Sequence, residues 1–339
     1  MPTIIDTALH YVGNKQDEEG MICSKSLLKM DDATRNALSD YFNEAFANEV
    51  QYHFVHDSDL GYNEVYGYLT EIFNDPSRLL DGSVKLAKHL YEKSNHPKIK
   101  AGEFYVALFD NCHINGEDCK AIGMFKSENK DTFLRVWASE QGIDMTTETG
   151  INTKKLDKGC IVYHTNADDG YIVTVIDNTN RSDAHYWTDE FLQVMQKQND
   201  YYHTNELLTM TKQFVTKELP QQFEVSRADQ ADMLNRSMAF FKQNDVFDMQ
   251  DFTEQVIEQP AVIESFHKFK DQYQEKEDVV ISDEFAINGS ALKRQERAYK
   301  SVIKLDKNFH IYIHGNRDLI EQGEDDKGKF YKVYYNKES

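Results

Sequence analysis

The 339-residue sequence has no apolar run long enough to cross a membrane. The longest runs, such as residues 172–176, are interrupted by polar residues and fall far below the roughly 20 residues of a spanning helix. The first residues, MPTIIDTALHYVG, contain neither a basic stretch nor a long apolar one, so we expect no signal peptide. Four cysteines are too few for a disulfide scaffold in a chain of this length. These absences predict a cytoplasmic protein with reduced thiols and no membrane contact.

The sequence also lacks the glycine-rich and nucleophile motifs of common enzymes. It contains no GxxxxGK[ST], GxGxxG or GxSxG pattern, so we expect neither a phosphate-cradling loop nor a nucleophile elbow. The acidic neighbours Asp168–Asp169 and Asp283–Glu284 could bind a divalent ion. In a chain with 58 acidic residues, however, adjacent carboxylates are usually solvated surface. We therefore predict no catalytic residue and no cofactor.

Residues of metal-ligating types are present without the spacing typical of a metal site. They are Cys112, His113, Cys119, Cys160 and His164. No CxxC pair occurs, and zinc sites usually have one. A hairpin could still bring Cys112 and Cys119 together, and Cys160 and His164 share one face of a predicted strand. Ordinary buried cysteines are the favoured interpretation, but the sequence leaves open whether Cys112, Cys119, Cys160 and His164 bind a metal.

Basic residues are scarce except near the C-terminus. The chain has 38 Lys and Arg against 58 Asp and Glu, a net charge of -20. Residues 1–287 carry -23 of net charge, whereas residues 288–339 carry +3 (11 bases against 8 acids). An acidic protein repels a polyanion at long range, so nucleic-acid binding would require a locally basic face. The segment ALKRQERAYKSVIKLDK, residues 291–307, is the obvious source.

This basic segment supplies six candidate phosphate contacts. They are Lys293, Arg294, Arg297, Lys300, Lys304 and Lys307. A helix over 290–300 would place three of them along one face, with Arg294 beside them, and would leave the last two in a following strand and turn. No aromatic platform is interleaved, so we expect contact with the backbone without base reading. The alternative is a solvated basic surface that balances the acidic remainder of the chain.

The order of predicted elements favours an α+β fold. Strands and helices alternate irregularly up to residue 183, helices dominate from 184 to 285, and strands return after the basic segment. We therefore predict an N-terminal α+β domain with a mixed sheet and helices (1–183), a helical section (184–285), and a basic segment with C-terminal strands (286–339). Ser226 and Asp229 resemble a capping box, and the acidic stretch EQGEDDKG, residues 321–328, is predicted as a loop between the last two strands.

Several segments resemble the bacterial 37 kDa nucleoid-associated protein family. The opening Ala8-Leu9-His10 and Ser26-Leu27-Leu28 is similar to that family's opening. Four further segments resemble the family's central hairpin, the approach to its helical part, its helical section and its terminal basic module. In that order they are YVALFDNCHINGEDCKAIGMFKSEN, SDAHYWTDEFLQV, SRADQADMLNRSMAFFKQNDVFDMQDFTEQVIEQ and FAINGSALKRQERAYKSVIKLDKNFHIYIHG. The resemblance covers nearly the whole chain. It implies a non-enzymatic bacterial protein on the nucleoid, with DNA association and a topoisomerase as a candidate partner.

Three functional hypotheses remain at this point. The first is a nucleoid-associated protein that contacts DNA phosphates through the basic segment with little sequence preference. The second is an acidic interaction module that reaches the nucleoid through a protein partner such as a topoisomerase. The third, less favoured, is a metal-dependent enzyme acting on nucleic acid. Exposed strand edges are compatible with a homodimer.

Overall fold

The computed structural model describes residues 2–140, 142–179, 186–296, 298–299, 302–305, 307–312, 319–335 and 337. The chain forms two compact units, Met1–Lys197 and Gln198–Ser339. Helices and strands are mixed along the chain without a βαβ series, which confirms the α+β prediction.

An antiparallel sheet of eight strands forms the centre of the first unit. The strands of the first unit are β1 (Thr3–Val12), β2 (Met21–Cys23), β3 (Gln51–Phe54), β4 (Gly102–Ile114), β5 (Glu117–Ser127), β6 (Asp131–Ser139), β7 (Gly142–Gly150), β8 (Lys158–Tyr163), β9 (Ile172–Asp177) and β10 (Val194–Gln196). The order across the sheet is β10-β3-β9-β8-β5-β4-β1-β2. The predicted hairpin of the first two strands is present, with Val12 opposite Met21.

Helices cover both faces of this sheet. They are α1 (Asp32–Phe46), α2 (Glu64–Asn74) and α3 (Leu79–Lys93). Strand β4 shows why both faces are buried: Phe104, Val106 and Leu108 join the core beneath α2 and α3, whereas Tyr105 and Phe109 join the core beneath α1. A strand with apolar residues at every position is typical of a sheet that is covered on both sides.

Strands β6 and β7 lie outside the eight-stranded sheet and, as far as the described residues extend, pair with each other alone. The sequence predicted a strand over 133–138 as part of the antiparallel series, and it did not predict β7. Both strands are exposed along almost their whole length, so we call this pair the ribbon.

The second unit is built from helices with short strand pairs. Its helices are α4 (Asp200–Gln213), α5 (Leu219–Gln222), α6 (Arg227–Gln243), α7 (Met249–Phe252), α8 (Pro260–Glu277) and α9 (Gly289–Glu296). Π-helical turns at Phe214–Glu218 and Thr253–Ile257 continue α4 and α7. The predicted capping box is present at the start of α6: the Asp229 backbone N–H donates to Ser226 Oγ at 3.1 Å, and the Ser226 N–H donates to Asp229 Oδ2 at 2.8 Å. This local signal fixes where α6 begins.

Three short antiparallel pairs complete the second unit. They are β11 (Val246–Asp248) with β12 (Glu284–Ala286), β13 (Val302–Leu305) with β14 (Phe309–Tyr312), and β15 (Ile320–Asp325) with β16 (Gly328–Val333). The prediction of an acidic loop over 321–328 is wrong, because most of that stretch is β15. Its carboxylates face lysines across the pair, with Glu321 opposite Lys332 and Glu324 opposite Lys329, so the acidic run is compatible with a strand.

Candidate nucleic-acid interface

The helix α9 presents the first two predicted bases. Asn288 caps it, since Asn288 Oδ1 accepts from the backbone N–H groups of Ser290 and Ala291 at 3.0 and 3.1 Å. Ala291 is fully buried, and the Gln295 side chain donates to Asn205 Oδ1 on α4 at 2.8 Å. These anchors are spaced by four residues and therefore fix one face of the helix against α4. Lys293 and Arg294 are both exposed, although Arg294 reaches Tyr201 of α4 with its guanidinium.

Among the residues that the structure describes, no carboxylate neutralises the charges of these two residues. Arg294 donates to the hydroxyl of Tyr201 at 3.0 Å, which orients the guanidinium and leaves its charge intact. Within the described part of the chain, neither Lys293 nor Arg294 forms an ion pair. Glu296, the acidic residue of α9, pairs with Lys242 of α6 at 2.9 Å. Two uncompensated cations in an acidic protein are suited to an anionic partner.

The β13–β14 hairpin presents the next two bases. Lys304 lies directly opposite His310, and Lys307 lies in the turn that joins the strands. Val302 is opposite Tyr312, so Lys304, His310 and Tyr312 share one face of the hairpin. Tyr312 is 59% exposed. No aromatic residue was predicted among the bases, although the two-residue spacing of His310 and Tyr312 in a strand indicates a shared face.

The helix and the hairpin that carry the four described bases contact α6 near its two ends. Ile303 of the hairpin is buried with Ala228 and Ala231 at the beginning of α6, while Glu296 of α9 pairs with Lys242 near its end. At 1.5 Å per residue these two ends are about 20 Å apart. The predicted helix over 290–300 ends at Glu296, and the predicted sites Arg297 and Lys300 lie outside the described residues. The basic side chains therefore form an extended surface and not a single helical face.

The predicted metal-ligating residues are divided between the two sides of the sheet. Cys112 is buried beneath α1 with Cys119 at its margin, whereas Cys160 is buried beneath α2 and α3. The ring of His164 stacks on Phe73 of α2, with the centroids 4.4 Å apart. Burial raises the pKa of the Cys112 thiol to about 12. Among the described residues no group of three or more His, Cys, Asp or Glu could hold a metal ion.

The adjacent acidic pairs are also separate surface features. Asp168 and Asp169 are exposed in a short helical turn between β8 and β9. Asp283 pairs with Lys270 of α8, and Glu284 is exposed at the start of β12. These positions agree with the interpretation of both pairs as ordinary acidic surface.

The structure shows a second group of lysines that sequence reasoning missed. A cleft of about 800 Å³ in the first unit is lined by Lys98, Lys100, Lys130, Lys154 and Lys155. Carboxylates lie among them: Lys130 pairs with Glu103 at 2.6 Å, and Lys155 lies 3.9 Å from Asp131. These lysines are scattered over nearly sixty positions, so no run of bases marks them in the sequence.

The floor beside this cleft contains a buried ionic network. Lys126 and Lys158 are fully buried, and both ammonium groups lie near Glu128, at 3.3 and 3.5 Å. The hydroxyl of Tyr186 donates to the same carboxylate at 2.9 Å. Burial is the main cause that lowers the pKa of Lys126 and raises that of Tyr186 well above its usual value. Each buried charged group of this network therefore has an oppositely charged or hydrogen-bonding partner within it.

These features define a class: an acidic α+β protein that presents exposed bases on one helix and one hairpin. The family model NA37, described as nucleoid-associated protein YejK, matches residues 8–335. The chain therefore belongs to this family of nucleoid-associated proteins, which confirms the resemblance seen in the sequence. No protein in the curated comparison matches the chain. Across the described ranges, the longest and most apolar helices still fall short of what a membrane span requires.

Proposed function

We propose that this protein binds DNA on the bacterial nucleoid, in the cytoplasm, through the phosphate backbone and without catalysing a reaction. The proposed contacts are Lys293, Arg294, Lys304 and Lys307, which lie among the described residues, together with Arg297 and Lys300 of the same segment. The observation that carries the proposal is that these four bases are exposed and, within the described ranges, form no ion pair with a carboxylate, in a chain of net charge -20. Membership of a nucleoid-associated family supports DNA as the anion.

The proposed contact has little sequence preference. Exposed Lys and Arg side chains that neutralise phosphates release counterions, and this term is the same for every sequence. With four to six contacts, log K is expected to fall with log salt with a slope of about -4 to -5. The acidic surface elsewhere restricts the contact to the basic segment.

A salt series with linear duplexes tests this function. Fluorescence anisotropy on two unrelated 30-base-pair duplexes between 50 and 200 mM salt should give equal affinities and the steep slope. The variant Lys293→Glu/Arg294→Glu should bind at least about tenfold more weakly and show a slope reduced by about 2. The control Lys217→Glu/Lys268→Glu makes the same charge change at exposed positions elsewhere in the second unit. Equal losses in both variants would refute the stated surface.

A second candidate function is recruitment to the nucleoid through a protein partner. The net charge of -23 on residues 1–287 favours it, because such a surface suits a basic partner. A topoisomerase is one such candidate. This function predicts no shift of purified DNA, together with a specific partner recovered from nuclease-treated lysate. Recovery of no specific protein would exclude it.

The enzymatic alternative loses its support from the sequence. Its basis was the Cys/His set and the acidic pairs, and the sheet separates Cys112 from Cys160 while the acidic pairs lie on the surface. Metal analysis of the purified protein checks this point. Stoichiometric zinc or another divalent metal would restore the enzymatic alternative.

A further inference from the structure

The hairpin of β4 and β5 places two cysteines directly opposite each other. Cys112 of β4 faces Cys119 of β5 in the register of the two strands. Opposite residues of an antiparallel pair have their Cα atoms about 4.5–5.5 Å apart, and disulfides span Cα separations of about 4.4–6.8 Å. Both side chains belong to the core beneath α1, so they lie on the same side of the sheet. The backbone therefore already holds the two thiols at a separation that a disulfide can bridge.

A β-bulge creates this pairing. Phe109 lies opposite Ala121, and the register shifts between Phe109 and Cys112. If the register continued unchanged for three residues, Cys112 would lie opposite Asp118 and on the other side of the sheet from Phe109. The bulge instead turns Cys112 towards the side that Phe109 and Cys119 share.

The other two cysteines are placed differently. All four cysteines lie among the described residues. Cys23 lies on β2 opposite His10, and Cys160 is buried beneath α2 and α3, on the other side of the sheet from Cys112. Cys112 and Cys119 are therefore the one pair of cysteines that the register brings together.

Cys119 is the more accessible of the two thiols. Cys112 is fully buried, whereas Cys119 is partly exposed. A surface hollow of about 380 Å³ is lined by Asp110, Asn111, Asp118, Cys119 and Lys120. The two carboxylates disfavour an anionic oxidant, whereas hydrogen peroxide is small and neutral. Such an oxidant therefore meets Cys119 first.

We propose that Cys112 and Cys119 form a reversible disulfide when hydrogen peroxide oxidises Cys119. The Cys119 thiolate attacks one peroxide oxygen, the O–O bond breaks, and the leaving hydroxide takes up the thiol proton, which gives a sulfenic acid and one water. The Cys112 sulfur then attacks the Cys119 sulfur, and the sulfenic hydroxyl leaves with the Cys112 proton as a second water. Two thiols thus lose two electrons to one peroxide. A dithiol reductant restores both thiols by exchange.

The surroundings of the pair set the rate of each step. Burial raises the pKa of Cys119, and the charges of Glu117 and Asp118 add to this effect. Its thiolate is therefore scarce at neutral pH, and the first step should accelerate about tenfold per pH unit. Cys112 attacks within the same molecule, where the effective concentration of its target is high. The pair therefore stays reduced until oxidant accumulates.

Peptide mapping of the full chain tests the proposal. Trypsin releases both cysteines in one peptide, residues 101–120. The reduced protein is treated with 1 mM hydrogen peroxide at pH 7.0 and 8.5, quenched with catalase, alkylated under denaturing conditions and digested. The wild-type peptide should lose both alkyl groups and two hydrogen atoms, faster at pH 8.5, and dithiothreitol should restore both alkylation sites.

Three alanine variants separate the steps. In Cys112→Ala, the sulfenic acid of Cys119 should persist and react with dimedone, whereas the wild type should give less than about a tenth of that adduct. In Cys119→Ala, Cys112 should remain open to alkylation at the same peroxide dose. The matched control Cys23→Ala removes a partly exposed thiol that faces His10, and it should leave the disulfide yield unchanged.

Two results would overturn the proposal. The first is a wild-type peptide in which both cysteines are still alkylated after peroxide at pH 8.5. The second is a sulfinic acid on Cys119 beside an alkylated Cys112, since this product means that Cys112 does not reach the sulfenic acid. Neither measurement involves DNA, so this site is tested separately from the proposed DNA contact.

Discussion

Lys126 and Lys158 lie directly opposite each other on β5 and β8, and both are fully buried. Two ammonium groups at neighbouring buried positions repel each other unless a carboxylate lies between them. Glu128 supplies that carboxylate, and its own side chain is only 1% exposed. Asp177 adds a second partner for Lys158 at 2.9 Å. Glu128 is therefore the carboxylate that both buried ammonium groups share.

Glu128→Gln should lower the free energy of unfolding of the first unit by about 3–5 kcal/mol, because it leaves buried ammonium charges without their shared partner. Urea unfolding followed by tryptophan fluorescence reports this unit, since both tryptophans, Trp137 and Trp187, lie in it. The control is Glu148→Gln, which breaks an exposed pair with Arg135 and should cost less than about 1 kcal/mol. Similar losses in the two variants would contradict the assigned role of Glu128.

His10 should make the first unit sensitive to mild acid. Its ring is buried and hydrogen-bonded as a neutral group: Nδ1 accepts from the Ser24 N–H at 3.2 Å, and Nε2 lies 2.9 Å from Ser83 Oγ. Burial lowers the pKa of His10 from 6.5 to about 4. The unfolded chain therefore binds a proton more readily, so the stabilisation is complete above pH 6.5 and is lost as the pH falls towards 4.

The free energy of unfolding should fall by about 3 kcal/mol between pH 7 and pH 4 on account of this one group. His10→Gln should flatten the profile over that window, although it lowers stability at pH 7. Urea titrations at half-unit pH steps measure both effects. The exposed His113→Gln should keep the wild-type slope. An unchanged slope in His10→Gln would rule out this histidine as the source.

Local signals predicted much of the fold, and tertiary relationships account for most of what the sequence missed. Ser226 and Asp229 mark a helix start by contacts three residues apart, so the sequence is sufficient there. The alternation of Ile143, Met145 and Thr147 with Asp144, Thr146 and Glu148 is typical of a strand, yet β7 is absent from the predicted elements. Cys112 lies on the side of the sheet that α1 covers, and Cys160 lies on the side that α2 and α3 cover. The spacing of these cysteines in the sequence does not determine which side of the sheet each one faces.

The candidate site shows the same limit. The basic residues could be identified from the sequence, which also predicted a helix at Lys293 and Arg294, and the structure contains that helix. It did not indicate that α9 and the β13–β14 hairpin rest on opposite ends of α6, because that arrangement follows from buried contacts of Ile303 and from the pair of Glu296 with Lys242.

The lysine-lined cleft of the first unit should contribute little to DNA affinity. Lys130 and Lys155 already face Glu103 and Asp131, so a phosphate would have to compete with carboxylates for them. Lys154→Glu/Lys155→Glu should leave the duplex affinity within about threefold of the wild type in 100 mM salt, when measured beside Lys293→Glu/Arg294→Glu. A loss of tenfold or more in the cleft variant would move the DNA contact to the first unit.

Lys293 and Lys304 should contribute independently to DNA binding. They lie on elements that contact α6 about 20 Å apart, and neither has an ion-pair partner within the described ranges. Each single change to Glu should lower the salt slope by about 1, and the free-energy losses should add within about 0.5 kcal/mol in the double variant. Anisotropy on one duplex at four salt concentrations gives all the values. The exposed Lys217→Glu serves as the charge control. Strong non-additivity would contradict the placement of the two lysines at separate phosphates, about 20 Å apart along α6.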